Sequence, residues 1–438
     1  MSMSGIDYVM SVLVGDKFIP YVKYGVMSTC CIEEKIIIVP SGWFENRTMP
    51  CCPVREFEGM PIFFGEPRME ERDGTLIIYA DFIASTFFML TRYEELLNPV
   101  RDIHGRFPGK ASFLYKNGFL DRPIVDEYGR WLRSLIAKKF VATVPKEKNR
   151  ISKLWLTHDV DTPFETRGLM GRFRDVASNL LKRHRFSFRP ITEYVTGRSS
   201  PYTFPWLLDF DQGVINHVET CKKNVEAVYF ILARKDGDAR DNWYLDDSRW
   251  RQLLKEFRRY GITLGLHVSY AAGGDMKSVV QELEALKPYL QIPSVPLSPT
   301  RSPCTYSRHH FLRMTDPSDF AYLEGAGVTD DFSVGYADVA GFRVGTCRPY
   351  RWIDPQTGRV GKLLVHPMTI MECTLDGSNY MGLPENEART YAFRLIDRVA
   401  EFGGECVLLW HNTSLMPTKG NWQRALYCEC VRHAKERL

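Results

Sequence analysis

The chain lacks any apolar run of about eighteen residues, the length a helix needs to cross a bilayer, so no transmembrane helix is expected. Its start, MSMSGIDYVMSVLVGDKF, has no basic segment and carries Asp7 ahead of the apolar run, which does not read as a signal peptide. It lacks an excess of one charge: 57 Lys+Arg against 53 Asp+Glu leave +4, too little to imply a nucleic-acid partner. It has no CxxC. The eleven cysteines are an odd number, with adjacent pairs at Cys30-Cys31 and Cys51-Cys52 and a CxC at Cys428 and Cys430. That spacing argues against a disulfide framework and against a cysteine-held zinc, and free thiols fit a cytoplasmic location. Low-complexity tracts and short repeats are also missing.

What is present divides near residue 150. At 438 residues the length suits two domains. Residues 1–150 read as a smaller α+β domain. Its short strand-like runs are EKIIIVP, MPIFFG and GTLIIYADF, and its helices STFFMLTRYEELL and VDEYGRWLRSLIAKKF, with an irregular IHGRFPGK between the helices. VPKEKNR then serves as a polar linker. From 151 to 438 strands and helices alternate. LWLTHDVD, EAVYFILA and ITLGLHVSY precede helical stretches beginning at MGRFRD, SRWRQL and MKSVVQ; GFRVGTCRP, KLLVHPMTI, the helix ENEARTYAFRLIDRVAEFG, the strand ECVLLWH and a terminal helix follow. Alternation implies a mainly parallel sheet with helices outside, and the number of units implies barrel-like closure, with chemistry at the C-terminal strand ends.

The polar residues obey that rule. Asp159 and Asp161 end the first strand, His267 ends ITLGLH, and His411 ends VLLWH; Arg308 and His310 lie in SRHHF, and Asp330 and Asp331 follow GVT. Residues i and i+2 of a strand share a face, so Asp159 and Asp161 project together. Two carboxylates that close repel unless a cation or proton lies between them. Asp161 and His267 could hold a divalent metal, Asp159 could take a proton from water, and His411 could give one to a leaving group. Blander readings stand beside this one. The acids could cap the next helix, although one would suffice. His267 and His411 could be satisfied core histidines. Arg343 and Arg348 in GFRVGTCRPYR either are ordinary sheet residues or line a pocket for an anionic or sugar substrate. His366 is a strand-end residue that lines a pocket at best. Trp206, Trp243 and Tyr244 could stack on sugars but more commonly pack. The basic run from Lys182 to Arg189 reads as a solvated helix end.

These motifs, in order, resemble the polysaccharide deacetylase family, metal-dependent carbohydrate esterases that include chitin and peptidoglycan deacetylases. The resemblance covers roughly residues 151–415 and implies a deformed (β/α) barrel. It makes Asp159 in THDVD the base and Asp161 a metal ligand. In the family's His-x-x-x-His pair His267 takes the first place, but Ala271 occupies the second. The Arg-x-Pro-Tyr motif is approximated by RHHF, with Arg308 matching and His310 where proline would stand; LLWH supplies His411. The first 150 residues resemble an uncharacterised domain found ahead of such deacetylases, through DFIASTFFMLTRYEE and HGRFPGK.

The resemblance implies hydrolysis of an N-acetyl group on an amino-sugar glycan or glycan precursor. Asp159 is the expected base and His411 the acid. Arg308 is expected to orient Asp159, and Asp331 or Asp330 to pair with an arginine or His411. Zinc is the default for the mixed N/O ligand set, which cobalt or nickel also suit. A catalytic zinc usually has three protein ligands. With Ala271 unable to serve, His310 is the expected third, because it lies two residues from Arg308 and shares its face; otherwise it contacts substrate or packs. A noncatalytic carbohydrate-binding protein that has lost part of the metal site, and a glycosyltransferase that uses Asp159-Val160-Asp161 as a DxD motif, remain as alternatives.

Overall fold

The computed structural model describes residues 4–26, 35–140, 149–163, 204–217, 224–234, 238, 240–241, 245, 248–260, 262–290, 305–416 and 421–438. Expectations for MGRFRDVASNLLKRH, for Lys182 to Arg189, for Trp243 and Tyr244, and for most of the VPKEKNR linker lie outside the described residues.

Near the N-terminus, Ser4 caps the helix Gly5–Val14 by accepting from the Asp7 N–H. A four-stranded sheet follows, built from β1 (Val22–Tyr24), β2 (Ile36–Ile38), β5 (Gly65–Arg72) and β6 (Thr75–Ala80) in the order β1-β2-β6-β5; β3 (Arg55–Phe57) and β4 (Met60–Ile62) form a separate hairpin. Every residue of the helix Phe82–Leu90 is buried, and Asp81 caps it through the Ala84 N–H. Helix Ile124–Phe140 closes this region.

The second sheet has nine strands. They are β7 (Lys153–Val160), β8 (Val225–Leu232), β9 (Thr263–Val268), β10 (Tyr306–His309), β11 (Asp330–Asp331), β12 (Tyr350–Ile353), β13 (Val360–Val365), β14 (Ile370–Met371) and β15 (Glu405–Leu409), in the order β12-β13-β11-β10-β9-β8-β7-β15-β14. All neighbours are parallel except β12 and β13. The sheet curls into a half-barrel, compatible with a deformed barrel. Helices such as Ser248–Arg259, Met276–Leu290 and Glu385–Phe402 connect the strands, as a parallel sheet requires, and Gln423–Lys435 follows the last strand. GFRVGTCRP forms no strand and runs through turns, with Gly345 at φ 67°.

β7 shows how alternation sorts side chains. Thr157 and Asp159 both contact Arg308. His158, between them, faces the other way and bonds the Trp410 carbonyl at 2.8 Å and the Tyr427 hydroxyl at 3.1 Å. No strand of the N-terminal sheet joins the nine-stranded one among the described residues, yet one apolar cluster contains Leu13, Phe87, Val344 and Val399 from both regions. Their seam carries buried polar contacts. Arg343 pairs with Glu95 at 2.7 Å, and Asp126 accepts from Thr346 Oγ1 at 3.0 Å and the Cys347 N–H at 2.9 Å.

Candidate metal centre and hydrolytic site

The parallel register brings the strand ends together. Arg308 on β10 lies opposite His267 on β9; Asp159 on β7 lies opposite Phe230 on β8. His267 Nε2 is 3.3 Å from Asp161 Oδ1 and 3.6 Å from Asp159 Oδ2. His310 Nε2 is 3.6 Å from Asp161 Oδ1. One donor atom from each of Asp161, His267 and His310 lies within 4.8 Å of the others.

Backbone and side-chain contacts set both imidazole tautomers. His267 Nδ1 lies 2.9 Å from the Arg308 carbonyl, which can only accept, so Nδ1 carries the proton. Its Nε2 is buried; burial disfavours the imidazolium, but Nε2 faces Asp159 and Asp161, which outweigh that and raise the His267 pKa. In the neutral ring its lone pair would face two carboxylates. That arrangement is repulsive without a proton or cation. His310 Nδ1 donates to Asp241 at 2.8 Å. Asp241 also accepts from the N–H groups of Tyr270 at 2.8 Å and Ala271 at 3.2 Å. A carboxylate behind a ligating histidine orients the ring and raises its basicity. Ala271 thus offers no side-chain ligand, but its backbone holds the acid that aims His310. Two imidazoles and one carboxylate form a donor set that suits zinc with an open position.

Asp159 stands beside this cluster. Its Oδ1 accepts from Arg308 Nη1 at 3.0 Å, and Arg308 is anchored to Thr157 Oγ1 and the Phe332 carbonyl. The guanidinium also lies over the Phe230 ring at 4.5 Å. Burial pushes the Asp159 carboxyl up, but His267, Arg308 and His411 outweigh it and hold it below the usual range. Asp161 is lowered too, burial again being overcome, here by His267, His411 and His310.

His411 closes the far side, with Nε2 4.0 Å from Asp159 Oδ2 and 3.9 Å from Asp161 Oδ2. Its Nδ1 donates to Glu372 at 2.7 Å, and the same carboxylate oxygen accepts from the His411 N–H and the Ser414 hydroxyl. Burial disfavours the imidazolium, yet Glu372 and the two aspartates raise its pKa to about 10.

Other expected site residues lie elsewhere. Asp331 accepts from Ser307 Oγ at 2.7 Å and from the N–H and hydroxyl of Ser333; the acid paired with His411 is Glu372. Asp330 bonds His366 at 3.1 Å, and His366 also bonds Glu405 at 2.7 Å. Arg343 is buried on Glu95 and the Gly335 carbonyl. Arg348 reaches the Phe402 carbonyl at 2.5 Å and Asp126 at 3.4 Å. Both arginines hold the seam, because buried acids of the N-terminal region face them, rather than turning to the Asp159 cluster. His309 faces away from the cluster onto Ser333, and burial lowers its pKa to about 4. Trp206 packs against Phe210 at 5.3 Å with Arg424 over its ring.

Glu372 and Asp241 were not among the expected site residues. Glu372 had a signal: it directly follows the apolar pair of β14, as Asp161 follows β7. Asp241 had none, being one of several acids between β8 and the next helix.

Residues 3–141 match the model of a family of unknown function, DUF7033. No curated protein matches the chain. A weak structural neighbour is the crystal structure of a "putative polysaccharide deacetylase from Mycobacterium smegmatis", 14% identical, covering 67% of this chain and 87% of that one at a TM-score of 0.39. No helix among the described residues is long and apolar enough to cross a membrane.

Proposed function

We propose that the protein is a metal-dependent hydrolase that removes N-acetyl groups from an amino-sugar glycan or its precursor. The observation that carries this reading is the convergence of Asp161, His267 and His310 beside an arginine-held Asp159 and a glutamate-held His411. A divalent cation on the three ligands, zinc by default, would supply Lewis acidity toward the amide carbonyl and lower the pKa of a water. Asp159 accepts a proton from that water as its oxygen bonds the carbonyl carbon. Arg308 keeps Asp159 ionised and fixed. The C–N bond then breaks, and His411 delivers a proton to the departing nitrogen. Acetate and a free amino sugar result.

The test is acetate release by the zinc-loaded full chain from N-acetylated chito-oligosaccharides and peptidoglycan fragments. Asp159→Asn is expected to lose about 10²–10⁴-fold in rate while keeping its zinc. Asp161→Ala is expected to lose the zinc. Undiminished release by Asp159→Asn would exclude the role of Asp159, and glycan binding without any release would favour a noncatalytic binding protein.

A further inference from the structure

The turn that carries His310 is held from the N-terminal region. Immediately after His310 the chain enters the left-handed region at Phe311, φ 61°, and at Leu312, φ 50°, a conformation residues with side chains adopt only under external constraint. The constraint comes from residues 102–106. There Asp102 Oδ1 accepts from the His104 and Arg106 N–H groups, both at 2.9 Å, and Gly105 takes a φ of 77° that closes the turn. Asp102 Oδ2 holds Arg106 Nε at 2.7 Å, so the guanidinium is already aimed when it donates through Nη1 to the Phe311 carbonyl at 2.7 Å. The His104 ring packs on Phe311 at 4.9 Å, and the His104 carbonyl accepts from Arg313 Nε at 3.1 Å. Asp241 orients the His310 ring, but the position of its Cα depends on this turn.

We infer that Arg106, with Asp102 and His104, positions His310 for metal binding, so that the region matching the family of unknown function is a working part of the metal centre. The inference rests on the metal-site reading of Asp161, His267 and His310. It predicts that contacts at this turn govern metal affinity, whereas other contacts between the two regions govern stability alone. Arg130 provides the comparison. It lies on the helix Ile124–Phe140 and bonds the Glu401 carbonyl, joining the two regions without touching the turn.

The experiment titrates zinc, and separately cobalt(II) followed by its visible absorption, into metal-free full-length parent, Arg106→Met, Arg106→Lys, Arg130→Met and His310→Ala. Thermal melting of each chain in chelator is measured alongside. Arg106→Met is expected to bind zinc 10-fold or more weakly and to show an altered cobalt spectrum, while its melting temperature in chelator falls no further than that of Arg130→Met. Arg106→Lys should recover part of the affinity, and Arg130→Met should keep parental affinity. Parental affinity in Arg106→Met, or equal losses in Arg106→Met and Arg130→Met, overturns the positioning role while leaving the metal site standing. If the parent itself binds neither metal, or His310→Ala binds as the parent does, the metal-site reading fails and this inference falls with it.

Discussion

Glu372 decides what His411 can do. Because it helps hold the imidazolium at a pKa of about 10, the proton His411 would donate is present at neutral pH. Glu372→Gln removes the charge but keeps the shape, so the His411 pKa falls. The alkaline limb of the kcat profile should then move by a unit or more to lower pH. An unmoved limb would show that His411 is not the acid. The adjacent histidines of β10 separate by face. His309→Ala strips Ser333 of a buried partner and should cost about 1–3 kcal/mol of stability with metal affinity intact. His310→Ala should instead lose metal affinity, with a stability cost as well because buried Asp241 loses its partner, and metal titration and melting together would read the difference. The facing of Arg308, His309 and His310 was legible, because period-two alternation is local. The destinations of Arg343 and Arg348 were not, because a guanidinium at a turn goes to whichever buried acid the fold brings, here Glu95 and Asp126.

At the scale of elements, β8, β9 and β10 form the floor under Arg308. Gly265 on β9 is there because a Cβ would sit 2.7 Å from the Phe230 ring and 3.2 Å from Tyr306 Cβ. Phe230 in turn supports the Arg308 guanidinium. Gly265→Ala is therefore expected to cost about 1–3 kcal/mol by overpacking. It should also lower kcat through displacement of Arg308 and Asp159, with zinc affinity less affected. A melting curve and a steady-state assay check this; a stability loss with normal kcat would separate the floor from the chemistry. The strands themselves were readable from their apolar runs: LWLTHDVD and EAVYFILA cover all but the first residue of β7 and β8, and ECVLLWH contains β15. GFRVGTCRP was misleading. Its spacing of apolar residues suits a strand, but its glycines and its buried arginine serve the seam.

For the whole molecule, the seam makes stability depend on pH. Burial pushes Glu94 up to about 7, against the Phe113 N–H it accepts from and aided by the neighbouring Glu95. The folded state therefore holds a proton that the unfolded chain releases near its ordinary value of 4.5. Stability from this group is full below that value and is lost as pH rises toward 7, by on the order of 3 kcal/mol. Glu94→Gln should flatten the dependence of melting temperature between pH 5 and 8 relative to the parent, and identical slopes would refute it. Glu95→Gln leaves Arg343 buried without its charge partner and should cost about 3–5 kcal/mol; chemical denaturation measures it. The proposed division at residue 150 is tested by limited proteolysis, with cleavage expected near VPKEKNR.

The sequence by itself determined the α/β character and the strand-end residues Asp159, Asp161, His267 and His411. Each rests on short-range rules: an apolar run makes a buried strand, alternation assigns its faces, and a polar residue where the run stops lies at the rim of the sheet. Only the tertiary structure decided which distant groups complete them. Glu372 reaches His411, Asp241 reaches His310, and Arg106 reaches Phe311 across 39, 69 and 205 residues. Such pairings follow from strand order and from how the N-terminal region packs on the nine-stranded sheet. No local pattern encodes them, because the free energy that selects them comes from burying and satisfying charges that meet only after the chain has folded.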